Sequence, residues 1–157
     1  MRVVLYTDKT VRECMSAINE RMQAKATSAR PALDGWVNKS GEFSLGVSMQ
    51  VAGRFNRTTY LRGKVEKQGG YSVVTCDVAN GVERRGQIIV FIALGLVALV
   101  MLGSGNALFA LILIPFALLL YIPMEGDHQN SETLVNEVQR TLKARAKPPA
   151  GAKPRRG

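Results

Sequence analysis

One histidine, His128, and two cysteines, Cys14 and Cys76, are all this 157-residue chain holds of the side chains that most readily bind transition metals or titrate near neutral pH. The cysteines lie 62 positions apart, which excludes a paired redox or zinc motif, and two are too few for a disulfide framework. Cys14 falls in an expected helix and Cys76 in an expected strand, so both read as small buried hydrophobes in a reducing compartment. Acids are also scarce. Against 21 Lys and Arg stand 12 Asp and Glu, a net charge of +9 that suits an anionic neighbour, either nucleic acid or an acidic lipid surface. The opening MRVVLYTDKT has no apolar run of the length a signal peptide uses. The most informative absence is local: residues 86–124 contain no Asp, Glu, Lys, Arg or His.

Outside that block the chain alternates in recognisable ways. Arg2–Thr7 is a short β-branched run and predicts a first strand. Thr10-Val11-Arg12-Glu13 has the form of a capping box, and Val11, Met15, Ile18 and Met22 stripe a helix to about Lys25. Arg12, Glu13, Glu20 and Arg21 fall to the other, polar side of that helix. After a small polar connection with Pro31, four strands are expected: Gly35–Lys39, Phe43–Val51, Arg57–Gln68 and Tyr71–Val78. The second of these alternates apolar and polar residues with a period of two, the mark of a strand with one face buried. Short turns at Ser40-Gly41 and Gly69-Gly70 favour antiparallel neighbours. The expected class is α+β: an antiparallel meander of about five strands in the order β-α-β-β-β-β, with a packed helix.

The uncharged block splits into two runs. Ile88–Leu102 is 15 apolar residues and Ala107–Ile122 is 16, separated by Gly103-Ser104-Gly105-Asn106. A bilayer core about 30 Å thick takes one run per crossing, so the block predicts a two-helix transmembrane hairpin, 86–103 and 107–124 with the turn at 103–106. Each 18-residue span is about 27 Å long as a helix. Each also holds 11 Leu, Ile, Val or Phe residues, worth roughly −3 to −7 kcal/mol of insertion drive. Such helices, apolar on all sides, would need a far larger soluble protein to cover them. Pro115 is expected to kink the second span by freeing the carbonyl of Leu111. Gly95 and Ala98 on one helix, with Ala110 and Ala117 on the other, offer small residues for close approach. Arg84 and Arg85 precede the first span, the turn carries no cation, and the C-terminal segment is basic. The positive-inside rule therefore places both termini in the cytoplasm.

Beyond Met124 the expectation is a linker followed by an amphipathic helix, together 125–147, striped by Leu134, Val138 and Leu142. That helix would pack either on the α+β domain of residues 1–85 or along the membrane. Residues 148–157 read as a disordered basic tail. The cations Arg84, Arg85, Lys143, Arg145, Lys147, Arg155 and Arg156 are the candidate contacts to anionic headgroups.

No catalytic set is visible. His128 reads as a solvated linker residue, and Glu125, Asp127 and His128 match no dedicated metal-ligand spacing. Asp8 reads as a cap or turn residue. Gly69-Gly70 and Gly103-Ser104-Gly105 read as turns and not phosphate cradles, because neither belongs to a strand–loop–helix with a Lys. The basic strand from Arg54 to Lys67, with Phe55 and Tyr60 interleaved, raises single-stranded nucleic acid as a partner, but it shows no recognised nucleic-acid motif, and lipid is the better fit.

The run FSLGVSMQVAGRFNRTTYLRGKVEKQGGYSVVTCDV, followed by a helical hairpin and a short helix, resembles a loose group of small uncharacterised bacterial membrane proteins. The resemblance covers most of the chain at the level of architecture, and it implies no activity, cofactor or functional residue. Pleckstrin-like domains fused to membrane hairpins are more distant, since this chain lacks their later strands. The chain is expected to be a non-enzymatic inner-membrane anchor or interaction module with a protein partner or a second copy of itself. The alternatives are a tethered lipid- or small-ligand-binding domain with a pocket between sheet and helix, and a membrane enzyme using Asp77, Cys76 or His128. No nucleic acid and no cofactor are expected.

Overall fold

The computed structural model describes residues 1–148 apart from Ser28 and Ala52. The tail beyond Pro148, with Lys153, Arg155 and Arg156, lies outside the described residues. Five strands and three helices follow one another as β1 (Arg2–Thr7), α1 (Val11–Gln23), β2 (Asp34–Val37), β3 (Glu42–Val51), β4 (Phe55–Gln68), β5 (Tyr71–Val78), α2 (Arg84–Gly103) and α3 (Ala107–Leu142). The chain divides into two compact units. The first holds Met1–Val47, Thr59–Ala79 and the residues from Ser131 on; the second holds Ser48–Thr58 and Asn80–Asn130.

The strands form one sheet in the order β1-β5-β4-β3-β2, with β1 antiparallel to β5, β5 to β4 and β3 to β2. The expected meander is present over β2 to β5, and β1 closes the far side by pairing Val4 with Thr75 and Tyr6 with Val73. One face is apolar because the period-two pattern puts Leu45, Leu61, Val65, Val74 and Cys76 on the same side. Against them pack Met15 and Ile18 of α1 and Leu134, Val138 and Leu142 of α3, so this unit has a single continuous core.

α1 begins where the capping box puts it. The Glu13 amide donates to Thr10 Oγ1 at 3.3 Å, and the Thr10 amide donates to Glu13 Oε2 at 2.7 Å. The backbone hydrogen bond from Thr10 is the first reason the Glu13 carboxyl lies below its ordinary range. Thr10, and not Asp8, is therefore the cap of this helix.

Two sequence expectations change. The stretch 125–130, read as a linker, is helical: α3 runs unbroken from Ala107 to Leu142, through Pro115 and Pro123. Gly126 and Asn130 are buried, and Leu134, Val138 and Leu142 continue the same spacing of four along the helix. This settles where the C-terminal helix packs, since Leu134 and Leu142 have no exposed surface within the sheet unit.

Arg21, assigned to the wet side of α1, is buried as well. Its Nε donates to Glu137 Oε2 at 2.7 Å and its terminal nitrogen to the Pro31 carbonyl at 2.6 Å. Arg30 donates to both oxygens of the same carboxylate and to Thr141 Oγ1. A charge is tolerated in this core only because it is shared and hydrogen-bonded at every turn.

α3 ends at Leu142, earlier than the expected 147, because Lys143 turns into the left-handed region (φ 51°). Arg145 then exchanges two backbone hydrogen bonds with Tyr6, each 2.8 Å, and covers the outer edge of β1 at that point.

Candidate membrane interface

α2 and the first half of α3 are apolar in every direction, as the uncharged block requires. Both helices are long and apolar enough to cross a membrane, and only 6% of the most apolar window of each is buried. Leu99, Val100, Leu108, Ile114 and Leu119 are each more than 60% exposed. A soluble core helix hides such residues; these present them outward.

What burial there is follows a seam. On α2 the less exposed positions include Gln87, Phe91, Leu94, Ala98 and Met101, and on α3 they include Ala110, Leu113, Ala117, Tyr121 and Met124. Both sets step by three or four residues, the pattern of two helices packed side by side. The rings of Phe91 and Tyr121 meet across it, with centroids 6.0 Å apart. Ala98, Ala110 and Ala117 lie in the seam as expected. Gly95 does not: a Cβ there would meet nothing within 4 Å, so it faces outward.

The turn between the helices satisfies its own backbone. Asn106 N–H donates to the Met101 carbonyl at 2.9 Å and Gly105 N–H to the Leu102 carbonyl at 3.1 Å, with Gly105 at φ 79°. This is a Schellman closure, and it needs a residue at positive φ that only glycine accepts cheaply. Ser104 Oγ donates to the Met101 carbonyl and Asn106 Nδ2 to Ser104 Oγ, so the polar groups of the turn bond one another.

At the other end of the hairpin a polar clasp appears. Gln87, 5% exposed, donates from Nε2 to Glu125 Oε2 at 2.7 Å and to the Val82 carbonyl at 2.9 Å. Val82 N–H reaches the Met124 carbonyl at 3.2 Å, and Gln129 bonds Glu125 one turn further on. Gly81 packs so closely on the backbone of His128 that an added Cβ would lie 2.0 Å from its nitrogen. His128 is thus a half-buried helical residue, not a solvated linker residue.

The Arg57 guanidinium grips Asp127 with two hydrogen bonds of 2.9 and 2.7 Å, and Asn130 Nδ2 donates to the Arg57 carbonyl at 2.8 Å. Glu125 and Asp127 are therefore each committed to a different cationic or amide partner. Among the described residues no group of three or more His, Cys, Asp or Glu could hold a metal.

The predicted headgroup cations separate into two places. Arg84 and Arg85 are exposed in the first turn of α2, which has no acidic residue and no side-chain cap. Lys143, Arg145 and Lys147 are exposed after α3, in the sheet unit; Arg155 and Arg156 fall outside the described residues. Sequence reasoning missed Gln87, Arg57 and Glu137. The four-residue stripe through Gly126 and Asn130 is the signal that would have extended the helix and drawn these partners together.

Both thiols are buried and unpaired with each other. Burial pushes Cys14 up to about 11, and burial with the Asp77 charge pushes Cys76 up to about 12. Between sheet and helix, the gap bounded by Ile18, Leu33, Leu45 and Val138 has no room even for a water molecule. The opposite sheet face carries an open groove of about 620 Å³ with Trp36, Glu42, Arg62 and Lys64 along it. No family model, no curated protein and no solved structure matches the chain.

Proposed function

We propose that the chain is a multi-pass protein of a bacterial inner membrane, with both termini cytoplasmic, that anchors an α+β domain at the cytoplasmic surface as a non-enzymatic accessory or interaction module. The observation that carries this reading is the outward-facing apolar surface of α2 and of the first half of α3, which lipid would cover. Arg84 and Arg85 support the orientation. Cations in the first turn of a helix oppose its dipole, so they add nothing to α2 itself. Anionic headgroups and the positive-inside rule both favour them there. The partner of the module is a second protein or a second copy, in keeping with the resemblance to small bacterial membrane proteins.

Single-cysteine labelling tests the reading in intact cells, since both native thiols are buried. Ser104→Cys is expected to react with a membrane-impermeant maleimide from outside, and Lys147→Cys only after permeabilisation. The reverse pattern would invert the topology, and extraction of the chain by alkaline carbonate would remove the membrane altogether.

A second reading is favoured by the groove. A tethered small-ligand domain would use the exposed Trp36 as a stacking surface and Arg62 as an anion contact, in a volume ordinary for ligand sites. Trp36 fluorescence unchanged across a panel of planar anions would set it aside.

A further inference from the structure

We infer that the tip of the β3–β4 ribbon, Gly53 to Asn56, is a third membrane contact that lays Phe55 and Arg54 into the headgroup layer beside the hairpin. This rests on the membrane reading above. The tip and the base of the hairpin belong to one compact unit, Ser48–Thr58 with Asn80–Asn130.

The direction of the ribbon follows from its contacts on α3. Asn130 Nδ2 bonds the Arg57 carbonyl, the Arg57 guanidinium reaches back to Asp127, and the Arg57 stem lies against Gly126. Val51, nearer the tip, also lies against Gly126: a Cβ there would be 3.0 Å from Val51 Cγ2 and 2.6 Å from Arg57 Cγ. Moving along the ribbon toward its tip therefore moves along α3 from 130 to 126, toward Met124 and the apolar span. Ser48 bonds Thr58 across the ribbon, which keeps the two strands paired as they approach.

The residues at the tip have the chemistry of an interface. Phe55 is 45% exposed although the sheet has a core to offer, and Gly53, Arg54 and Asn56 are exposed around it. An aromatic ring beside an arginine, at the level where an apolar span ends, is what the headgroup region rewards: the ring is desolvated and the cation meets phosphate. Because the ribbon runs along α3 toward the end of the apolar span, the occupant is lipid. Arg57, by contrast, is committed to Asp127 and acts as the strut that sets the ribbon's height.

The test uses the full chain in nanodiscs of phosphatidylcholine and phosphatidylglycerol brominated near the carbonyl end of the acyl chains. Trp36→Phe removes the one native tryptophan, which is half exposed and outside the core. In that background Phe55→Trp is expected to show blue-shifted emission and to be quenched by the bromines, with Phe116→Trp in the second span as the reference. Quenching of Phe116→Trp with a water-like, unquenched Phe55→Trp overturns the inference and leaves the hairpin reading standing. Absence of quenching at both positions overturns both. Arg54→Glu is expected to reduce the quenching of Phe55→Trp, and unchanged quenching removes Arg54 from the contact. Benzoylphenylalanine at position 55, in the otherwise native chain, supplies an independent measure: lipid adducts after illumination support the contact, and their absence opposes it.

Discussion

Glu137 is the residue on which most of the buried polar chemistry converges. Burial raises its carboxyl, but the hydrogen bonds from Arg30 and Arg21, with their charges, outweigh that and hold it below its ordinary 4.5. A carboxyl lowered on folding stabilises fully above that value, and the contribution is lost as pH falls through the native value. The wild-type chain in micelles should therefore lose stability to denaturant below about pH 5 more steeply than Glu137→Gln does. Equal slopes would mean the carboxylate is not differentially protonated. Glu137→Ala leaves the Arg21 guanidinium buried without its counter-charge, at an expected cost of about 3–5 kcal/mol. Loss of both, in Arg21→Met with Glu137→Leu, should recover much of that, read from the shift in denaturation midpoint. The cysteines allow a simpler check. With Cys14 held up to about 11 and Cys76 to about 12, both should resist maleimide at neutral pH until denaturant is added. Rapid labelling of the native chain would contradict their burial.

At the scale of elements, the central strands depend on one close approach. The Phe43 ring lies over Gly63, where an added Cβ would sit 2.1 Å from ring carbon. Gly63→Ala should cost about 1–3 kcal/mol by overpacking, and Phe43→Leu in the same chain should relieve it, measured through Trp36 emission during unfolding. Independent losses that simply add would show that the two do not share the space. Strands and α1 were legible in the sequence because their signals are local: alternation in β3, the Thr10–Glu13 capping box, and glycine pairs at turns. The hairpin was legible because 39 residues without charge leave few alternatives. What escaped were features made by distant partners. Arg21 looks like a surface residue until Glu137, 116 positions away, is placed beside it. The span 125–130 looks like a linker because its buried stripe is made of Gly126 and Asn130, which hydropathy does not register.

For the whole molecule, α3 joins what the sequence seemed to keep apart. Leu134, Val138 and Leu142 are each at most 1% exposed in the core formed with β1–β5 and α1. At about 1.5–3 kcal/mol for each buried aliphatic side chain, their removal costs roughly 5–9 kcal/mol, close to the entire stability of an ordinary domain. Residues 1–85 expressed alone should therefore lack a cooperative unfolding transition, and a peptide of residues 131–148 added in trans should restore one. A stable, cooperative 1–85 fragment would show that α3 is dispensable to the sheet. The same continuity has a consequence in time. The 52 residues 79–130 separate the last strand from the helix that completes its core. A ribosome adding about 5–20 residues per second needs roughly 3–10 s to make them. Throughout that interval the nascent sheet stands with part of its apolar face open, and its closing helix emerges only after both apolar helices have been made. Translation thus orders the two events, and a chain that stalls between them presents an unfinished sheet to chaperones and proteases.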